Sequence, residues 1–190
     1  VMKSMCPAFL ASLMFSTVAL SDTITVCGDS DCDFTSINAA IAAASDGDVI
    51  QLSAETYMEG VTIDTAAKGL TLRGETDDSG APLTVLSGGG VHRIAKCLNE
   101  QFANTVFENL IFRDGVGEPD ESYPQFSSIG GAVYLHGSLT TEFKNCVFES
   151  NSAGEGSAVF SEQVNSSKYT DCIFRGNVAD ESTIYGREGS

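Results

Sequence analysis

The chain has 190 residues, a formal charge of -16 and a hydrophobic fraction of 42%, too apolar for a disordered acidic tail and sufficient for one ordered domain. So negative a surface repels nucleic acid, anionic headgroups and polyuronates unless divalent cations intervene; neutral glycans, cations and basic proteins remain permitted partners.

Lys3 precedes an apolar run from Pro7 to Leu20, with small Ala19 and Ser21 at the spacings signal peptidase requires, so residues 1–21 are expected to be a signal peptide cleaved before Asp22. The run is shorter than the roughly 20 residues of a spanning helix, no basic cluster follows it, and no later run is long enough. The mature chain is therefore expected to be secreted, extracellular or at the cell surface, without spanning the membrane. Cleavage removes Lys3 and Cys6, taking the formal charge to -17 and leaving five cysteines. Val1 in place of Met, and a repeat broken off at Ser190, lead to the expectation of a partial reading frame.

Export makes disulfides chemically permitted, and Cys27-Gly-Asp-Ser-Asp-Cys32 is short enough to close on itself, so Cys27 and Cys32 are the candidate bridge. Next, Phe34, Ile37, Ile41 and Ala44 recur at helical spacing among alanines of high helix propensity, predicting one amphipathic helix that Ser45-Asp46-Gly47-Asp48 stops. Residues 22–48 are read as an N-terminal cap. Val49–Leu52, Val61–Ile63 and Leu70–Leu72 follow as short strands separated by turns.

Internal repetition then governs the reading. Asn145-Cys146-Val147-Phe148-Glu149-Ser150-Asn151 returns 26 residues later as Asp171-Cys172-Ile173-Phe174-Arg175-Gly176-Asn177, and Gly130-Gly131-Ala132-Val133-Tyr134 returns at the same interval as Gly156-Ser157-Ala158-Val159-Phe160. An earlier copy around Phe112 lies 36 residues before Phe148, and the excess is predicted to be a loop, 117–128, protruding from one coil. Units of short strands and turns cannot bury their own apolar face and must stack. Residues 49–190 are accordingly expected to be an all-β, right-handed parallel β-helix (solenoid), with the helix covering its N-terminal end. Phe148 and Phe174 would fill the interior, Asn151 and Asn177 would bond a neighbouring turn's backbone, and Gly130 and Gly131 would permit a tight corner. Cys146 and Cys172 are read as buried apolar positions stacked as a sulfur ladder.

Two groups of residues carry a family resemblance. Asp33-Phe34-Thr35-Ser36-Ile37, Gly47-Asp48-Val49-Ile50-Gln51-Leu52, Thr56-Tyr57 and Leu70-Thr71-Leu72-Arg73-Gly74 resemble the opening of pectate-lyase-like (pectin lyase-like) β-helix proteins, with Glu55 where a glycine is usual. That likeness implies the fold and leaves the activity open. Gly130-Gly131-Ala132-Val133 with Phe148-x-x-Asn151 and Phe174-x-x-Asn177 resemble the paired GGA and FxxN repeats of polymorphic outer membrane proteins, implying a surface-exposed passenger used in adhesion.

The residues name no catalytic centre and no cofactor or metal site. Arginine–aspartate constellations of pectin-active enzymes are not evident; Asp77-Asp78 and Asp120-Glu121 sit in loop-like sequence, the cysteine spacing does not suit zinc, and there is no EF-hand spacing or nucleotide fingerprint. Arg73 and Arg113 end strands in comparable contexts and are read as stacked surface charge. Asn165-Ser166-Ser167 is a glycosylation sequon if the host is eukaryotic. The expected function is an adhesin-like lateral surface for a carbohydrate or protein partner, with enzyme activity left open and the residues leaning against it. The competing expectation is the N-terminal part of a polysaccharide-active enzyme with its catalytic coils elsewhere.

Overall fold

The computed structural model describes residues 21–99, 104–137, 140–162 and 166–187; the expected signal peptide lies almost wholly outside them. The chain opens with β1 (Thr23–Val26) and α1 (Ile37–Ala43). A first coil follows as β2 (Val49–Leu52), β3 (Thr56–Tyr57) and β4 (Ile63–Asp64), and a second as β5 (Thr71–Arg73), β6 (Thr84–Ser87) and β7 (Ala95–Asn99). The third comprises β8 (Thr105–Glu108), β9 (Leu110–Arg113) and β10 (Val133–Gly137). The fourth adds a short strand, giving β11 (Thr140–Lys144), β12 (Val147–Glu149), β13 (Ser152–Ala153) and β14 (Val159–Glu162). The fifth repeats that pattern as β15 (Ser166–Thr170), β16 (Ile173–Arg175), β17 (Val178–Ala179) and β18 (Ile184–Arg187).

Successive strands go to different sheets. The first sheet runs β1-β2-β5-β8-β11-β15, the second β3-β6-β9-β12-β16 and the third β4-β7-β10-β14-β18, and the named strands pair in parallel throughout. This is a parallel β-helix. The sequence repeat is its register: Phe148 lies opposite Phe174 and Val133 opposite Val159, while Phe112 lies opposite Phe148 across the longer interval.

Alternation along each strand sends one set of side chains into the solenoid. Phe112, Phe148 and Phe174 stack with centroids 4.8 Å apart at each step, and Phe107, Phe143 and Tyr169 stack at 5.2 and 5.3 Å. These intervals approximate the spacing of hydrogen-bonded strands, about 4.8 Å, so equal rings at equal positions stack as a consequence of the register. The two columns meet edge to face, Phe143 standing at 72° to Phe148.

Corners require left-handed backbone, and the sequence supplies residues that tolerate it. Asn109, Asn145 and Asp171 adopt φ of 59, 49 and 53° between the first and second sheets, and Asp114, Ser150 and Gly176 adopt 57, 57 and 63° after the second. Gly131 serves a different need: a Cβ there would overlap the Ser157 carbonyl oxygen of the next coil.

At the N-terminal end α1 buries Ile37, Ala40 and Ile41 in the common core and packs on β1, β2 and β4. It is shorter than predicted because Phe34 bridges to Val26 and Ala44 is extended. Seven residues form no stable helix in isolation, and both ends are held by the first coil. Glu59 accepts the Ile37 amide at 2.8 Å and the Ser36 hydroxyl at 2.7 Å. Lys68 Nζ donates to the carbonyls of Ile41, Ala42 and Ala44 at 2.7 to 3.0 Å, meeting the negative end of the helix with a cation. Lys68→Met is expected to lower unfolding free energy by about 1–2 kcal/mol, read by urea titration. No described helix is long and apolar enough to cross a membrane.

Candidate functional site: a lateral groove beside an inserted loop

The singled-out asparagines lie inside the corner after the second sheet. Asn151 is fully buried: its Oδ1 accepts the Gly115 amide at 2.8 Å, and its Nδ2 donates to the Phe112 carbonyl at 3.1 Å and to Asn177 Oδ1 at 2.9 Å. Asn177 Nδ2 donates in turn to the Phe148 carbonyl at 2.9 Å. These amides, with Phe148, Phe174, Gly130 and Gly131, are brought together as wall and corner; Phe174 and Asn177 also line an open pocket of about 360 Å³ with Thr183 and Ile184. Cys27 and Cys32 are disulfide-bonded. Asp29 lies beside them, but with both sulfurs in the bridge one carboxylate is left as a metal ligand. Asn165 lies outside the described residues.

Outward charges on the first two sheets pair, across coils in most cases and along β11 for Glu142 and Lys144. Arg73 meets Glu108 at 2.7 Å, Glu149 lies between Arg113 at 3.6 Å and Arg175 at 2.8 Å, and Glu142 faces Lys144 at 2.7 Å and Lys168 at 3.8 Å. Because partners occupy neighbouring or equivalent positions of the register, the pairs form surface ladders of modest energetic weight. Asp77 accepts the Ser79 hydroxyl and the Ser79 and Ala81 amides, which hold its carboxyl below the usual range, and Asp120 accepts the Ser122 amide. Both acidic pairs thus include a residue that closes its own turn.

The inserted loop folds back instead of protruding. Glu118 and Ile129 pair antiparallel at its base, while Tyr123 and Phe126 lie against the outer side of the third sheet, edge-on to Phe160 at 5.3 and 6.1 Å. With Tyr134 and Tyr185 these rings form a second apolar cluster outside the solenoid. Arg93 fastens the base: buried, it donates to the carbonyls of Ile129 at 2.8 Å and Gly130 at 3.0 Å, pairs with Glu118 at 3.4 Å and lies 5.0 Å from the Tyr134 ring. Sequence reading missed Arg93. Its signal was a cation directly before the apolar pair Ile94-Ala95 in a strongly acidic chain.

Beside this loop, along the corner after the second sheet, an open groove of about 370 Å³ crosses four coils. The first coil contributes Met58, 64% exposed, and the second Ser87 with the bare backbone of Gly89 and Gly90. Asp114 and Val116 come from the third coil, Ser150 and Ser152 from the fourth. The lining therefore combines hydroxyls, one carboxylate and two apolar side chains, without a cationic side chain. Asp114 Oδ2 lies 3.7 Å from Arg113 Nε at the rim, which partly offsets its charge. This composition suits hydrogen bonding to a polar, uncharged ligand. The sequence singles out none of these residues for binding; only the register sets four corners in line.

Cys97, Cys146 and Cys172 are free thiols. Cys146 and Cys172 occupy equivalent positions of adjacent coils, and their sulfurs contact the Phe107 and Phe143 carbonyls, each at 3.4 Å. Burial pushes the Cys146 thiol up, whereas the hydrogen bond from Cys146 draws half-buried Cys172 down to about 7. With the thiolate as nucleophile, Cys172 is expected to be alkylated ahead of Cys146 and Cys97 in the native protein at pH 8, read by peptide mass mapping.

No protein-family model matches the chain, and no curated protein matches it. Among solved structures, a pectin methylesterase from Aspergillus niger is similar at 20% identity and a TM-score of 0.48, the match covering 82% of this chain and 57% of that one. The chain thus spans little more than half the length of that enzyme, and the parallel β-helix rests on its own strand pairing.

Proposed function

We propose that this is a secreted or cell-surface, adhesin-like β-helix that presents a lateral surface to a carbohydrate or protein partner and needs no cofactor. The observation that carries the reading is the open groove across four coils, beside a loop fastened to the outer wall by Arg93, Tyr123 and Phe126. Side chains that would otherwise suggest acid–base chemistry on the first two sheets are engaged with one another in ladders. The resemblance of Gly130–Val133, Phe148–Asn151 and Phe174–Asn177 to the repeats of polymorphic outer membrane proteins supports the same reading. A second reading, the N-terminal part of a polysaccharide-active enzyme, is favoured by the pectate-lyase-like opening around Asp33–Ile37 and Gly47–Leu52.

The test is retention of the purified chain on immobilised neutral glucan, xylan, polygalacturonate and lysozyme, followed by interferometry in EDTA. Reversible retention on a neutral glycan or on the basic protein is expected. Retention on none of them, or on polygalacturonate alone, would remove the basis for the proposal.

A further inference from the structure

We infer that the lateral groove takes a short, neutral, linear oligosaccharide lying along the solenoid axis, an inference that rests on the binding reading above. Its lining residues stand in one line of corners. Tyr57 lies opposite Leu86, Ser87 opposite Arg113 and Arg113 opposite Glu149, so Met58, Ser87, Asp114 and Ser150 follow within a residue of one another, coil by coil. Three steps at strand spacing amount to about 14 Å, the length over which a chain of sugars would meet the same kind of corner repeatedly.

The chemistry discriminates among ligands. Ser87, Ser150 and Ser152 provide hydroxyls and Asp114 a carboxylate, while Met58 and Val116 offer apolar contact for carbon-bound hydrogens. A uronide would meet Asp114 without a cationic lining side chain, on a chain whose net charge is -16. An extended peptide would need unpaired strand backbone for ladder-type docking. Here Gly89 N–H donates to Ser87 Oγ at 3.1 Å, Gly90 N–H to the Asp114 carbonyl at 2.8 Å and Ser152 N–H to the Gly115 carbonyl at 2.8 Å. What remains presented is side-chain hydroxyl and carboxylate, the functionality that recognises sugar hydroxyls.

Titration calorimetry of the full chain in EDTA, with cello-, xylo-, manno- and galacturono-tetrasaccharides, tests this on wild type, Asp114→Asn, Met58→Arg and the control Leu83→Arg. Asparagine tolerates the left-handed backbone of position 114, φ 57°. Met58 and Leu83 are exposed, and neither change touches the core; Leu83 lies outside the groove lining. At least one neutral tetrasaccharide is expected to bind, with affinity reduced at least tenfold in Asp114→Asn and Met58→Arg and unchanged in Leu83→Arg. Neutral binding indifferent to both groove variants would overturn the site. Preference for the uronide, or no sugar binding while lysozyme is retained and released by Asp114→Asn, would overturn the ligand class and leave the binding reading standing. Cleaved sugar would overturn that reading itself.

Discussion

Phe148→Ala is expected to lower the free energy of unfolding by about 4 kcal/mol, read as a shift of the urea midpoint. The ring is fully buried, stacked at 4.8 Å on both Phe112 and Phe174, and packed edge-on to Phe143. Truncation leaves a void inside a column whose neighbours are fixed by strand pairing above and below, so collapse is restricted. Coils contact chiefly their immediate neighbours; the loss should therefore also broaden the transition, separating the first three coils from the last two. Phe148→Leu, which keeps most of the volume, is expected to cost about 1.5 kcal/mol.

Asn151→Ala is expected to cost about 3 kcal/mol by the same measurement. It leaves the Gly115 amide and the Phe112 carbonyl without their partner in a buried corner, and an unpaired buried polar group costs about 1–3 kcal/mol. Asn151→Asp separates the two roles. It keeps the acceptor for Gly115 but sets a carboxylate against the Phe112 carbonyl and Asn177 Oδ1, which raises its pKa above that in the unfolded chain. The penalty should be largest at neutral pH and shrink as acid protonates the side chain and restores a donor.

Much of the wall was legible because stacking makes equal residues meet. Phe148 with Phe174 and Asn151 with Asn177 share a spacing in the sequence, and strand pairing places them opposite each other. The predicted strand order and the covering helix followed from the same periodicities. Features tied to a single coil were harder to read. Within the segment read as the cap, Thr23–Val26 forms β1 and pairs with β2, a strand that four β-favouring residues beside an expected cleavage site, with no repeat to mark them, do not announce. Glu55, noted only as a departure from the usual glycine, accepts the Gly28 amide at 3.0 Å.

The inserted loop departs from its expected protrusion for a related reason. Its Pro, Asp, Glu and Ser content reads as solvated, but two rings decide where it lies: Tyr123 and Phe126 have a surface to cover only because Phe160, Tyr134 and Tyr185 point outward from the third sheet. The groove was the least legible feature. Met58, Asp114 and Ser150 belong to different coils, and their alignment depends on unequal repeat lengths that only the pairing register resolves.

Under the proposed function, this solenoid binds at its lateral surface and leaves its ligand unchanged. The most direct measurement is one incubation with methyl-esterified pectin, polygalacturonate and a neutral glucan, in which bound protein, released methanol, unsaturated uronides and new reducing ends are quantified together. Reversible retention on the glucan with no product above a heat-denatured control is expected; methanol, uronide or reducing-end formation that scales with protein concentration would overturn the binding reading.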